Sequence, residues 1–250
     1  KKNFKEKIKT IVFSKISNKL FNKSSISKLK KIDPDYFILS TPSYLHFNHL
    51  KILCKHFNKK IILVEKPLFL KLQKINIKDN TVFVGYNLRF HPVIQYAKKF
   101  FKNKTIEAAN IVCLTNVMNW RKKKKFFTPY SFSQSKSGGV LFDLSHEIDY
   151  FTWIFGKIKK KYSLYKKISK YKKIDAKDYF YLIGNNKKCK SISINLDFLS
   201  SIEKRDFEIF YKDYVFIGDI LKNKITILKK NNIYKVIKFN NFKIFNTFEK

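Results

Sequence analysis

Three short segments of the chain carry residue types and spacings that can do chemistry. Ser40-Thr41-Pro42 closes an apolar run, 35–41 (DYFILST), that reads as a buried parallel strand. Ligands of open α/β sheets bind outside the carboxyl ends of such strands, so the Thr41 hydroxyl stands where a ligand would. The same segment also serves as a plain strand-to-helix turn, with Pro42 opening the helix. Glu65-Lys66-Pro67 ends the next apolar run, 60–64 (KIILV). A lysine at that place is partly desolvated, and desolvation disfavours the ammonium form. Such a lysine can shuttle the proton of a substrate hydroxyl while hydride leaves the same carbon. The third segment runs from Gly138 to Asp149 (GGVLFDLSHEID). Its two glycines permit close backbone approach. Asp143, His146 and Asp149 follow at spacings of three, which on one helix would share a face. A histidine beside a carboxylate is a competent acid/base near neutral pH. A metal site is a second use of this set, and a helix N-terminus capped by Asp143 or Ser145 is a third.

Further histidines are less telling. His46, His49 and His56 share a helix-like stretch with Cys54, and His46 and His49 are three residues apart. No clear further ligand completes a metal set, so none is assigned. His91 precedes Pro92 and reads as a helix entry.

These segments need elements to hold them. Short apolar runs at 8–14, 35–41, 60–64 and 81–85 read as strands, with helices at 24–31 and 44–58 between them. That alternation predicts a parallel α/β sheet, a Rossmann-like lobe over 1–90. A helix at 92–102 opens the remainder, 91–250. Strands at 105–115, 161–168, 177–183, 190–198, 206–212, 214–217, 224–228 and 233–238 follow, interrupted by a helix at 145–154. Joins such as Gly184-Asn185-Asn186 look like turns. This half predicts an α+β domain with a large, mostly antiparallel open sheet.

The formal net charge of +36 invites a nucleic-acid reading. Against it, 54 cations include arginine only at Arg89, Arg121 and Arg205. Arginine is the residue suited to bidentate phosphate and base contacts. Lysine rises together with Asn, Ile, Phe and Tyr, a shift that loads lysine onto any solvated face; the Lys122–Lys125 run is read as such a loop. No specific nucleic-acid partner is expected. Cys54, Cys113 and Cys189 have no C-x-x-C spacing and read as idle thiols in a reducing cytoplasm. No run of 18 apolar residues is present, so no membrane span is expected.

The order of the motifs resembles one family. Residues 35–67 resemble the D-x-V, T-P-x-x-x-H, helix, strand-E-K-P run of the Gfo/Idh/MocA (glucose–fructose oxidoreductase) family. Residues 84–92 (VGYNLRFHP), 119–121 (NWR) and 138–156 (GGVLFDLSHEIDYFTWIFG) resemble its later elements. The resemblance implies a Rossmann domain for NAD or NADP, then an α+β domain, and hydride transfer with a sugar, sugar derivative or nucleotide-sugar. It implies Lys66 as catalytic lysine and His146 as its acid/base partner, with Asp143 orienting the histidine or binding a substrate hydroxyl. Thr41, Pro42 and Glu65 would line the nicotinamide side, Trp120 and Arg121 would approach the carboxamide, and Asn87 and Arg89 would sit between cofactor and substrate. A homo-oligomer through the C-terminal sheet is also implied.

The chain departs from the family pattern in places. The family's strand–G-x-G-x-x-G–helix element is absent, the first glycine being Gly85. About one strand and one helix are therefore expected upstream, and the end at Phe248-Glu249-Lys250 looks early. Asp143 precedes His146 by three residues where many members have four. At the end of the 8–14 strand stand Ser14 and Lys15, a hydroxyl and a cation that suit a 2′-phosphate and favour NADP over NAD. The competing expectation is a non-catalytic remnant or scaffold of the same fold that has lost its cofactor.

Overall fold

Four-residue apolar stretches set between polar turns build the first part of the chain. In the computed structural model, residues 23–119, 130–135, 138–172, 174–240 and 242 are described. The chain divides into two compact units, Lys1–Val84 and Gly85–Lys250. The 8–14 run, with Ser14 and Lys15, lies outside the described residues, as do Trp120, Arg121 and Lys122–Lys125.

The first unit contains α1 (Lys23–Ile32), β1 (Tyr36–Leu39), α2 (His46–His56), β2 (Ile61–Val64) and β3 (Thr81–Val84). The three strands pair in parallel in the order β1-β2-β3, with Leu39 opposite Val64 and Val64 opposite Val84. Leu50, Leu53 and Cys54 recur at helical spacing on α2 and pack with Phe37, Leu39, Ile62 and Val64. The helix stops at Phe57, whose backbone turns extended while its N–H still donates to the Leu53 carbonyl at 2.9 Å. Buried Asn80 fastens the far end of the sheet. Its Oδ1 accepts from Lys60 N at 2.9 Å, and its Nδ2 donates to the carbonyls of Phe57 and Ile77, each at 2.9 Å. A buried amide so fully used repays its desolvation.

The second unit contains α3 (Pro92–Phe100), β4 (Ile106–Asn116), α4 (Val140–Asp143), α5 (His146–Phe155), β5 (Lys159–Lys166), β6 (Tyr179–Asn186), β7 (Cys189–Asp197), β8 (Leu199–Tyr211), β9 (Tyr214–Asp219), β10 (Lys224–Lys229) and β11 (Asn232–Lys238). The described strands form one eight-stranded sheet in the order β11-β10-β9-β8-β4-β7-β6-β5. Every neighbouring pair is antiparallel except β4 with β7. Alternate residues such as Ile111 and Cys113 on β4, or Ile192 and Ile194 on β7, are buried in a core shared with α3, α4 and α5. The edge strand β5 opens with Lys159, Lys160 and Lys161 and ends with Lys166. Charge on an edge discourages pairing with another chain.

Two sequence expectations need correction here. The strand expected at 206–212 begins at Leu199, because Asp197 Oδ1 receives the backbone N–H groups of Leu199 and Ser200 and turns β7 directly into β8. Gly184-Asn185-Asn186 is not the hairpin turn but part of β6. A Cβ on Gly184 would stand 2.7 Å from Ile158 Cγ2 and from the Lys159 carbonyl, so the glycine admits a close neighbour strand. The turn falls at Lys187-Lys188, where Asn186 Oδ1 accepts from Lys188 N and Cys189 N, each at 2.8 Å.

His91 enters α3 as its N-cap, with Pro92 in the first turn. Its Nδ1 accepts from Val93 N at 3.3 Å and its Nε2 donates to Asn223 Oδ1 at 3.0 Å, which defines a neutral ring. Burial pushes this imidazole from 6.5 down to about 4, against the opposing pull of the Asn223 bond. As pH falls below about 6.5, the unfolded ring takes up a proton that the folded ring refuses until about 4. The stability this provides is whole above 6.5 and is lost progressively as the pH falls from 6.5 to about 4. Between pH 7 and 4.5 the loss should amount to about 2–3 kcal/mol. Urea unfolding of wild type and of His91→Asn, which keeps a cap acceptor, should show this loss only in wild type. Equal pH slopes for the two proteins would refute it.

Candidate functional site

The sequence-expected residues of the first unit gather at the carboxyl ends of β1 and β2. The last ladder contact there is Glu65 N donating to the Leu39 carbonyl at 2.9 Å. Beyond it the two chains leave the sheet as Thr41-Pro42 and Lys66-Pro67, and Thr41, Pro42, Glu65 and Lys66 are all half-buried. The Lys66 backbone N–H meets Glu65 Oε2 at 3.3 Å. Thr41 Oγ1 lies 3.1 Å from His49 Nδ1. Buried His46 lies with Nε2 2.8 Å from the Thr41 carbonyl and Nδ1 2.9 Å from the Pro67 carbonyl. The His46 and His49 rings are thus engaged with the chain. Among the described residues no group of three or more His, Cys, Asp or Glu is arranged to hold a metal ion.

In the second unit the expected residues surround the start of α5. The glycines do what their type predicts. Gly139 adopts φ +121°, and a Cβ on it would stand 2.8 Å from Tyr165 Oη and 3.0 Å from the Lys177 carbonyl. The D-x-x-H-x-x-D run, however, is not one helix. α4 closes after a single turn, with Leu144 N donating to the Val140 carbonyl at 2.9 Å, and Leu144 then bends the chain with ψ 30°. Asp149 N donates to the Ser145 carbonyl at 3.0 Å and starts α5 afresh. Asp143, buried at 7% exposure, ends α4, whereas His146 and Asp149 lie one turn apart on α5. The expected cap is also absent. Ser145 occupies the N-cap position without a capping bond. The acidic first turn is present, with Glu147 and Asp149 against the helix dipole.

Two arginine forks set the position of that first turn. Arg89 lies in a 3-10 turn, Asn87–Phe90, and donates Nε and Nη2 to Asp149 at 2.8 and 2.5 Å. Arg205, on β8, donates Nε and Nη2 to the fully buried Glu147 at 2.7 and 3.2 Å. Burial alone would lower the Arg205 guanidinium, but the Glu147 carboxylate outweighs that and holds it above its ordinary value. His146, flanked by these ties, meets the Tyr86 ring edge-on at a centroid distance of 5.6 Å. Burial raises the Tyr86 phenol, with neighbouring Ser145 opposing. Tyr165, on β5, is pushed up to about 12 by burial and then by the Asp143 carboxylate, so its phenol stays neutral.

Sequence reasoning missed Glu147, Arg205, Tyr86 and Tyr165 as parts of this surrounding. One signal was available for Arg205. In a chain whose cations are nearly all lysine, a retained arginine marks a position that needs a planar fork. Arg89 and Arg205 each sit at such a position.

A parallel sheet with polar residues at its strand ends, followed in the chain by a large open sheet, defines a two-part α/β protein. Residues 106–210 match the family model GFO_IDH_MocA_C, described as the oxidoreductase family's C-terminal alpha/beta domain. This segment of the second unit is thus similar to the C-terminal domain of Gfo/Idh/MocA oxidoreductases. No curated protein matches it by sequence. Among solved structures, the dehydrogenase MviM from Clostridium difficile is similar with TM-score 0.67 at 19% identity, over 89% of this chain and 69% of that one. UDP-N-acetylglucosamine 3-dehydrogenase GnnA from Acidithiobacillus ferrooxidans gives 0.64 at 16%, over 88% and 68%. An inositol dehydrogenase homolog from Azotobacter vinelandii, complexed with NAD+, gives 0.70 at 13%, over 86% and 60%. At these identities the likeness speaks for the fold. No helix among the described residues is long and apolar enough to cross a membrane.

Proposed function

We propose that the full-length protein is a nicotinamide-dependent dehydrogenase that moves hydride between its cofactor and a hydroxyl-bearing carbon of a sugar, sugar derivative or nucleotide-sugar. The observation that carries this reading is the pairing of Thr41-Pro42 and Glu65-Lys66 at the carboxyl ends of adjacent parallel strands, the place where open α/β sheets take their ligands. The match of residues 106–210 to the oxidoreductase family's C-terminal domain supports it, as do the substrates named for GnnA and the inositol dehydrogenase homolog.

The donor set at the strand ends fits the nicotinamide half of such a cofactor, since a threonine hydroxyl and a carboxylate suit a carboxamide and ribose hydroxyls. Thr41, Pro42 and Glu65 would hold it there, with Asn87, Trp120 and Arg121 as further contacts; when bound, it accepts or donates the hydride. Residues 1–90 are assigned to the cofactor and 91–250 to the substrate. Lys66 carries the proton of the reacting hydroxyl. His146 is an acid/base group, and Asp143 orients it or binds a substrate hydroxyl, with Tyr165 as a neutral neighbour. Arg89, assigned to substrate, acts at least in part through its bidentate bond to Asp149 on α5.

The test is direct. Full-length protein titrated with NADH and with NADPH should quench or shift the dihydronicotinamide fluorescence with one of them. Ser14 and Lys15 favour NADPH, whereas the Azotobacter homolog holds NAD+. Reduction of the oxidised cofactor should then be seen with a member of a panel of polyols, aldoses and nucleotide-sugars. Binding of neither cofactor by the full-length protein would overturn the reading in favour of a non-catalytic member of the fold.

A further inference from the structure

We infer that His46 is a positioning residue that fixes the Lys66-Pro67 turn against the Thr41-Pro42 turn, and that His49 sets the Thr41 hydroxyl beside it. The inference rests on the proposed function for its catalytic consequence, though not for its geometry.

The need for such a clamp follows from the sheet. Past the Glu65–Leu39 bond, no strand ladder holds the two turns together, and the carbonyls of Thr41 and Pro67 require donors elsewhere. Side chains of a helix tilt toward its N-terminus. The first residue of α2 therefore aims its side chain back at the strand ends that precede it. That residue is His46, fully buried; both its partners are carbonyl acceptors, so the clamp uses the ring with an N–H on each nitrogen, which spans a gap that a single-headed donor cannot. One nitrogen lies 2.8 Å from the Thr41 carbonyl and the other 2.9 Å from the Pro67 carbonyl. One helical turn on, His49 Nδ1 lies 3.1 Å from Thr41 Oγ1. Burial first, and then His46, lowers the His49 imidazole, which keeps it a neutral partner for the hydroxyl. Thr41 is thus gripped by backbone and side chain from one helix face. The segment after Pro67 is placed roughly by apolar contact, with Phe69 meeting Phe47 edge-on at 5.3 Å. His46 sets the finer position of the turn that carries Lys66.

The experiment uses full-length protein with His46→Leu, which keeps bulk and loses both polar contacts, and His46→Gln, which keeps one donor. Two readouts are taken: steady-state kinetics, and hydrogen–deuterium exchange of peptides covering 40–44, 65–70 and 48–57. The clamp predicts faster exchange at 40–44 and 65–70 in His46→Leu, with 48–57 still protected. It also predicts a fall in kcat of about ten- to a hundredfold, the scale of an ångström misplacement, with KM for cofactor and sugar within about threefold. His46→Gln should recover part of both. A merely structural histidine would raise exchange in all three peptides and leave the kcat of folded protein unchanged, and that result overturns the inference. If His46→Leu does not fold, His46→Gln carries the test, with the same local exchange and kcat changes expected at smaller size. If wild type turns over no sugar, the proposed function fails, and the exchange pattern alone decides whether His46 holds the two turns.

Discussion

Full-length protein carrying Lys66→Met is expected to bind the proposed nicotinamide cofactor as wild type does and to lose turnover by about a thousandfold, within the range by which a positioned proton carrier accelerates a reaction. Methionine keeps the unbranched length of the lysine and removes only the amine. Lys66 is half-buried, with its backbone N–H on Glu65 Oε2 and the next residue's carbonyl on His46, so the main chain that presents it has partners of its own. The substitution should therefore leave the turn in place and delete one function. Without the lysine, the alcohol proton must leave to water, and the residual rate should rise with hydroxide concentration where the wild-type rate does not. A kcat within threefold of wild type would remove Lys66 from the chemistry and leave the strand ends as a binding feature.

Much of this arrangement was legible because it rests on local rules. Apolar runs of strand length at 35–41, 60–64 and 81–85 yielded β1, β2 and β3, since a parallel strand buries residues wherever helices cover it. The His91-Pro92 pair announced the start of α3 for a reason of backbone chemistry, the missing N–H of proline at a helix entry. Gly139 was recognisable as a close-approach glycine, though not the Tyr165 hydroxyl that approaches it. The failures have a common cause. Spacing of three from Asp143 to His146 to Asp149 is helical arithmetic, and it cannot register a bend at Leu144 that depends on burying Leu144 in the sheet core. Gly184 looked like a turn because turn propensity is local, whereas its real role answers to Ile158 and Lys159, more than twenty residues away. The same limit hid the partners of His46. A histidine one residue inside a helix carries no mark of the two carbonyls it will meet, because Thr41 and Pro67 come together only when β1 and β2 pair.

The largest effect on stability is expected from breaking the Glu147–Arg205 pair. Arg205→Met leaves a fully buried carboxylate without its counter-charge, and Glu147→Gln leaves the guanidinium so; losing one partner of a buried pair costs about 3–5 kcal/mol. For a unit of this size the melting temperature should drop by about 10 °C. The surroundings give the carboxylate little help. Cys113 and Tyr150 lie near it, both raised first by burial and then by Glu147, so both stay neutral and bring no counter-charge to the carboxylate. A paired replacement, Glu147→Leu with Arg205→Met, should regain most of the lost stability, because apolar residues of similar volume often serve a core as well as an ion pair does. Stability and function should part company in that double variant. The two introduced apolar side chains would fill the space yet hold the first turn of α5 only by packing, without the fork that fixes its rotation, and His146 is the neighbouring residue on that turn. The expected outcome, on the acid/base role proposed for His146, is near-wild-type melting with kcat reduced about tenfold or more. Recovery of both melting and kcat would mean that the pair serves the fold alone and that Asp149 with Arg89 suffices to place His146.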